Sequence, residues 1–235
     1  MIDLYFYPSP NGIKAAIMLE ECGLEYRVVP VDITRGEQFD PAFLEISPNN
    51  KIPAMVDPDA DGGPLALFES GAILLYLAEK TGKFLPADTQ GRYAVLKWLF
   101  WQVGGLGPMA GQAHHFRAFA TERVPYGIKR YTDECNRLYG VMNRALEHTE
   151  YLAGGYSIAD MAAWPWVKPH ERQGQRLEDS PAVQRWFEAV NARPAVRRAL
   201  ALGHERHANR EAYRYLYGQT AGTVEAERRE REAGR

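Results

Sequence analysis

The chain has 235 residues, 46% hydrophobic and 25% charged, enough for one large or two ordinary globular domains with a substantial core. A net charge of -2 argues against bulk attraction to nucleic acid or to an acidic membrane. Cys22 and Cys135 make no disulfide framework and suit a reducing compartment; Met1 precedes a strand pattern rather than a leader, and the longest apolar run, residues 72–78, is too short to span a bilayer, so a cytoplasmic protein is predicted.

Ile2, Leu4 and Phe6 alternate with Asp3, Tyr5 and Tyr7, which predicts a first strand. Ser9 suits an N-cap and Pro10 the first helical position. Ile13, Ala16 and Ile17 then repeat at helical spacing, and Gly23 is a stop. Residues 26–31 read as a second strand, parallel to the first through a right-handed crossover. Residues 41–46 read as a short helix. Residues 54–56 and 65–68 form a predicted hairpin across an Asp-, Gly- and Pro-rich turn, with Pro53 at its entrance. Ser70 is placed to cap a helix running to about Thr81, stopped by Gly82. The order β-α-β-α-β-β-α predicts a thioredoxin-like α/β domain over residues 1–84.

From about residue 89 the patterns are helical, which predicts an all-α domain over residues 89–203. GGLGP, residues 104–108, is expected to interrupt one long helix; residues 126–148 make another. YSIAD, residues 156–160, is a capping signature, with Ser157 and Asp160 satisfying each other's backbone N–H and Tyr156 and Met161 as a staple. Residues 181–192 and 195–202 read as two closing helices. The charged stretch 204–235 reads as a solvated or frayed tail.

Several segments are more specific: SPNGIK (9–14), ISPNNKIPAMVD (46–57), LFESGAILLYLAEKTG (67–82), WLFWQVGGLGPM (98–109) and YSIADMAAWPWV (156–167). Together with the element order they resemble the glutathione transferase superfamily, and within it the bacterial nu class, over nearly the whole chain except the tail. ESGAI alone marks only the superfamily; WLFWQVGGLGP beside SPNG points to the class. Ser9 departs from the pattern, standing where a threonine is usual; it keeps the hydroxyl and loses a methyl. The resemblance implies an α/β N-terminal thioredoxin-like domain followed by an all-α helical domain. It also implies glutathione as co-substrate, no metal, and a homodimer.

A site for this anionic tripeptide thiol needs donors for its carboxylates, an anchor for its α-ammonium and an environment that favours thiolate. Ser70, at a helix start, offers its hydroxyl and backbone N–H groups to the γ-glutamyl carboxylate. Glu69 can pair with the α-ammonium. Ile52 can present its backbone to the cysteinyl unit, and the resemblance implies a cis bond to Pro53. Gln38 and Lys51 are candidates for the glycyl end. The resemblance places Arg130 to reach across the dimer to the partner's glutathione, where a guanidinium fork suits a carboxylate. The SPNG turn holds no cysteine, histidine or carboxylate. Asn11 can donate to a sulfur at the helix mouth, with Ser9 and nearby N–H groups as further donors, and thiol pKa falls at helix N-termini. Asn11 and Ser9 are therefore the catalytic candidates, and the nucleophile is the ligand's own thiolate.

Plain readings stand beside these. SPNG alone is an ordinary cap, Glu69-Ser70 a common helix start, Pro53 a structural turn and Arg130 a surface charge. Cys22 and Cys135 read as buried structural thiols. The rings of adjacent His114 and His115 diverge on a helix and make a poor metal site. The five tryptophans read as core or interface, and spacing does not say which wall a cleft. The resemblance favours glutathione-dependent reduction of small disulfides without a protein cysteine. The same thiolate can serve transfer to electrophiles or reduction of organic hydroperoxides, and a non-catalytic regulatory glutathione-binding module is the third reading.

Overall fold

The computed structural model describes residues 1–203 and 219–233. Strand β1 (Ile2–Phe6) leads into helix α1 (Pro10–Cys22), then β2 (Tyr26–Pro30), a 3-10 turn (Glu37–Phe39) and α2 (Pro41–Leu44). The hairpin β3 (Ala54–Asp57) and β4 (Leu65–Phe68) precedes α3 (Ser70–Thr81). The sheet order is β2-β1-β3-β4. β1 pairs in parallel with β2, Leu4 opposite Val28, and antiparallel with β3, Leu4 opposite Met55. The alternation of β1 has the expected cause: Ile2, Leu4 and Phe6 are buried.

The start of α1 is tightly specified. Ser9 caps it, its Oγ accepting from the Gly12 N–H at 3.2 Å. A Cβ on Gly12 would lie 2.2 Å from the Tyr7 carbonyl oxygen, so only glycine lets the first turn close onto the end of β1. Ser70 corrects an expectation. It is the first helical residue of α3, not its cap; the cap position falls to Glu69 at φ +71, with no side-chain cap bond.

The second unit is helical, with two isolated bridges near residues 151–155. Its helices are α4 (Thr89–Trp101), α5 (Gly107–His114), α6 (Pro125–Leu146), α7 (Ile158–Val167), α8 (Pro181–Asn191) and α9 (Pro194–Ala201). GGLGP interrupts the α-helical pattern without ending the helix. Residues Gln102–Leu106 form a π-turn with helical backbone on either side, so α4 runs on into α5, and a second π-turn, His115–Phe119, follows. Glycine here permits a wider turn rather than a stop. The YSIAD signature is a complete capping box. Asp160 Oδ2 accepts from the Ser157 N–H, while Oδ1 accepts from Leu152 N–H and the Trp186 indole. Trp164 and Trp186 are fully buried in the core.

Helix α1 also packs against α7 and α9. Arg193 forks onto Glu21 at 2.6 and 3.0 Å, and Arg198 meets Glu20 at 2.6 Å, so the two units are joined along the back of α1.

Residues 204–218 of the predicted tail lie outside the described residues. Beyond them the described side chains from Gly222 onward, Val224 apart, are exposed on a helix. Ala221–Ala233 form helix α10, started by reciprocal bonds between the Thr220 and Thr223 backbone and hydroxyls. Val224 buries against Phe39. One apolar residue supplies the anchor that the charged sequence hid. Among the described residues no helix is long and apolar enough to cross a membrane.

Candidate active site

The starts of α1 and α3 and the entrance to β3 open on one side onto a cavity of about 1160 Å³, whose other side is formed by α5, α7 and the segment after α7. Ser9, Asn11, Gln38, Lys51, Ile52, Pro53, Glu69 and Ser70 all line it. The structure thus gathers eight of the nine candidates from four separate stretches of chain. Arg130 is the exception. It is exposed on α6 in a groove of its own with Tyr126, Lys129 and Glu134.

The Ile52–Pro53 bond is cis, and the Ser47 hydroxyl braces the loop before it by donating to the Lys51 carbonyl at 2.9 Å. Glu69 sits in the left-handed region at φ +71. A non-glycine residue held there costs about 1–3 kcal/mol. The conformation leaves its side chain exposed at the cavity while Ser70 stays buried. Gln38 is also buried.

Lys14 escaped the sequence reading. It is 2% exposed, and its Nζ donates to Gln102 Oε1 at 2.6 Å and to Ser70 Oγ at 3.3 Å. Burial lowers its pKa to about 7, opposed by the nearby Glu69 carboxylate. A lysine amid Ile13, Ala15, Ala16 and Ile17 reads as the polar edge of a helix. Here it points inward because the π-turn carries an acceptor, Gln102, to meet it. By donating to the Ser70 oxygen, Lys14 leaves the serine's own proton free for an anion in the cavity.

Asn11 lies within the first turn of α1. Its Oδ1 accepts from the indole Nε1 of Trp166 on α7 at 2.8 Å. Trp166 is the tryptophan that lines the cavity, which spacing alone did not disclose. His114 lines it too. Burial, Arg172 and His115 hold the His114 pKa down to about 4, so its ring is neutral at physiological pH. No group of three or more His, Cys, Asp or Glu that could hold a metal occurs among the described residues.

Both cysteines are buried and free. Cys22 Sγ contacts the Thr81 hydroxyl, and burial raises its thiol pKa. Burial pushes Cys135 up to about 12, and its Sγ is 3.6 Å from Gln173 Oε1. Neither lines the cavity.

What this arrangement can do follows from its donors. The start of α3, the Ser70 hydroxyl and the buried Lys14 make one end suited to carboxylate. The Asn11 amide and the first turn of α1 suit a soft anion such as thiolate.

Known proteins fit this geometry. Residues 8–80 match the glutathione S-transferase N-terminal domain and residues 108–194 the glutathione S-transferase C-terminal domain. The chain is 58% identical over 212 residues to the disulfide-bond oxidoreductase YfcG of Escherichia coli, covering 88% of this chain and 99% of that one. It is 40% identical over 230 residues to the disulfide-bond oxidoreductase YghU of the same organism, covering 88% and 80%. A solved glutathione transferase from Pseudomonas putida, with one glutathione disulfide bound per subunit, superposes with a TM-score of 0.82 at 44% identity, covering 86% of this chain and 91% of that one. The chain belongs to the glutathione S-transferase family.

Proposed function

We propose that this protein is a glutathione-dependent disulfide-bond oxidoreductase of the nu class, acting as a cytoplasmic homodimer whose nucleophile is bound glutathione. The observation that carries the reading is the α1 turn: an asparagine amide at a helix start inside a large cavity, with both protein thiols buried elsewhere. A thiol with a pKa near 12, as at Cys135, supplies almost no thiolate at neutral pH. The names of the two oxidoreductase relatives support the same activity.

In the proposed cycle Ser70, the α3 N-terminus and Lys14 hold the γ-glutamyl carboxylate, and Glu69 pairs with the α-ammonium. The Ile52 backbone, before the cis bond to Pro53, positions the cysteinyl unit. Gln38 and Lys51 receive the glycyl end. Asn11 and Ser9 donate toward the sulfur. The thiolate attacks one sulfur of the disulfide; a glutathionyl mixed disulfide forms and one product thiolate leaves and takes up a proton. A second glutathione thiolate attacks the glutathionyl sulfur, forming glutathione disulfide and releasing the other product thiol. Two glutathiones are oxidised for each disulfide reduced. A cavity of about 1160 Å³ exceeds the roughly 300–1,000 Å³ of ordinary ligand pockets, which suits two ligands side by side.

The exposed Tyr93, Phe100 and Tyr126 and the separate position of Arg130 support the homodimer, in which Arg130 acts on the partner's ligand. The cavity's volume and the same thiolate also support a second reading, transfer to electrophiles or reduction of organic hydroperoxides. The test is steady-state reduction of 2-hydroxyethyl disulfide by glutathione, coupled to glutathione reductase and NADPH. Turnover clearly above the uncatalysed rate is expected. Glutathione binding without such turnover would favour the electrophile and hydroperoxide chemistry, or a regulatory module if those assays also stay silent.

A further inference from the structure

We infer that Trp166 is a positioning residue for the sulfur-binding amide: its indole N–H locks Asn11 so that the amide nitrogen, not the oxygen, is left for the bound thiolate. An asparagine amide turns about a broad, roughly two-fold torsion, and only one of its two ends can donate to an anion. An indole nitrogen is a donor and never an acceptor. The Asn11 atom 2.8 Å from Trp166 Nε1 is therefore the oxygen, and Nδ2 is the donor left to the cavity. Without the indole, rotation would bring the oxygen toward the sulfur, replacing attraction with repulsion between two acceptors.

Trp166 is itself fixed from two sides. Its carbonyl accepts from Gln173 Nε2 at 2.6 Å. Its ring lies over two glycines of α5: a Cβ on Gly107 would sit 3.4 Å from Nε1, and one on Gly111 3.2 Å from the ring carbon Cη2. The tolerance is tight at Gly111, so a side chain there would press on the indole, whereas a Cβ on Gly107 would first meet Gln102 Nε2 at 2.8 Å and reach the indole only at ordinary contact distance. The GGLGPM and AAWPWV segments are thus brought together at the sulfur end of the site, where Trp166 meets Asn11 across 155 residues of chain.

This inference rests on the reading that Asn11 stabilises the thiolate, and the experiment separates the two. Trp166→Phe keeps most of the ring and loses the donor. Incorporation of β-(3-benzothienyl)alanine at 166 keeps the shape as well, and decides the matter if Phe disturbs folding. The measurements are thiolate absorbance of bound glutathione against pH and kcat/KM for 2-hydroxyethyl disulfide. Both variants are expected to raise the bound thiol's pKa and lower kcat/KM about tenfold, the scale of one hydrogen bond to a charged group, with glutathione KM little changed. In an Asn11→Ala background, the same replacements should change kcat/KM by less than about twofold, because both act through one bond. Unchanged pKa and rate in the benzothienyl variant, or losses that multiply in the double variants, would overturn the role of Trp166. If Asn11→Ala alone leaves the thiol pKa and rate at parent values, the thiolate reading of Asn11 falls, and this inference with it.

Discussion

On the N-terminal side of the cavity, groups come from short local devices. Ser9 caps α1, the Ile52–Pro53 bond turns the backbone at β3, and Glu69 in the left-handed region sets Ser70 at the head of α3. On the helical side the groups come from convergence. Trp166 on α7 rests on Gly107 and Gly111 of α5, and Gln102 in the π-turn reaches Lys14 of the first unit. The first side is specified within a few residues of each functional atom. The second exists only when helices far apart in sequence pack at the right rotation. Local devices make a binding site for one constant ligand; convergent packing makes an adjustable wall opposite it.

The local side of the cavity is most vulnerable at Gly12. Gly12→Ala places a Cβ against the Tyr7 carbonyl, 2.2 Å away, and α1 must shift. Overpacking against backbone is expected to cost about 3 kcal/mol, seen as a lower midpoint in denaturant unfolding, together with loss of glutathione binding. A midpoint equal to the parent's would show that the turn is less constrained than its geometry.

Lys14→Met tests the join between the sides. Weaker binding of S-methylglutathione, by about tenfold, is expected, the scale of one bond to a charged group. The ligand-free variant should show a changed pH dependence. The folded-state pKa of about 7 lies below the ordinary 10.5. Between these values the unfolded chain holds the extra proton, so stability rises with pH across that window. In Lys14→Met this contribution to the rise should vanish in thermal unfolding followed from about pH 7 to 10. An unchanged slope would mean that Lys14 keeps its proton through that window in the folded protein, its pKa not lowered by burial.

Arg130→Ala should weaken binding of glutathione disulfide several-fold, about 1 kcal/mol for a contact at a solvent-exposed site, with unfolding unaffected. Calorimetric binding equal to the parent's would remove Arg130 from the partner's site. The smallest effect belongs to the Cys22→Ser, Cys135→Ser pair. Disulfide reductase activity within about twofold of the parent is expected once the variant is shown to be folded, with modest destabilisation from a buried hydroxyl. Loss of activity in that folded variant would return the nucleophile to the protein.

The difference between the two sides also governs what could be read from sequence. The order of strands and helices, the Ser9 cap and the gathering of Glu69 and Ser70 were legible because each depends on neighbours in the chain. Lys14 was not, since its inward orientation depends on Gln102, 88 residues away. Trp166 was one of five tryptophans, and nothing in its spacing separates it from the buried Trp164. Ser70 was misplaced by one position because the unusual backbone of Glu69 is set by the turn as a whole. Helix α10 was missed because a single valine against Phe39 leaves no periodic signal.

The π-turn at Gln102–Leu106 carries a consequence for register. A π-turn behaves as one extra residue inserted into a helix, and one residue advances an α-helix by about 100°. The wider turn absorbs that residue, so α5 keeps nearly the phase of a regular helix one residue shorter. Were the same residues to close as regular α-helix, α5 would swing about its axis by most of that angle, and Gly107 and Gly111 would leave the indole. A change of turn, with no residue added or removed, would then redraw the wall that faces the sulfur.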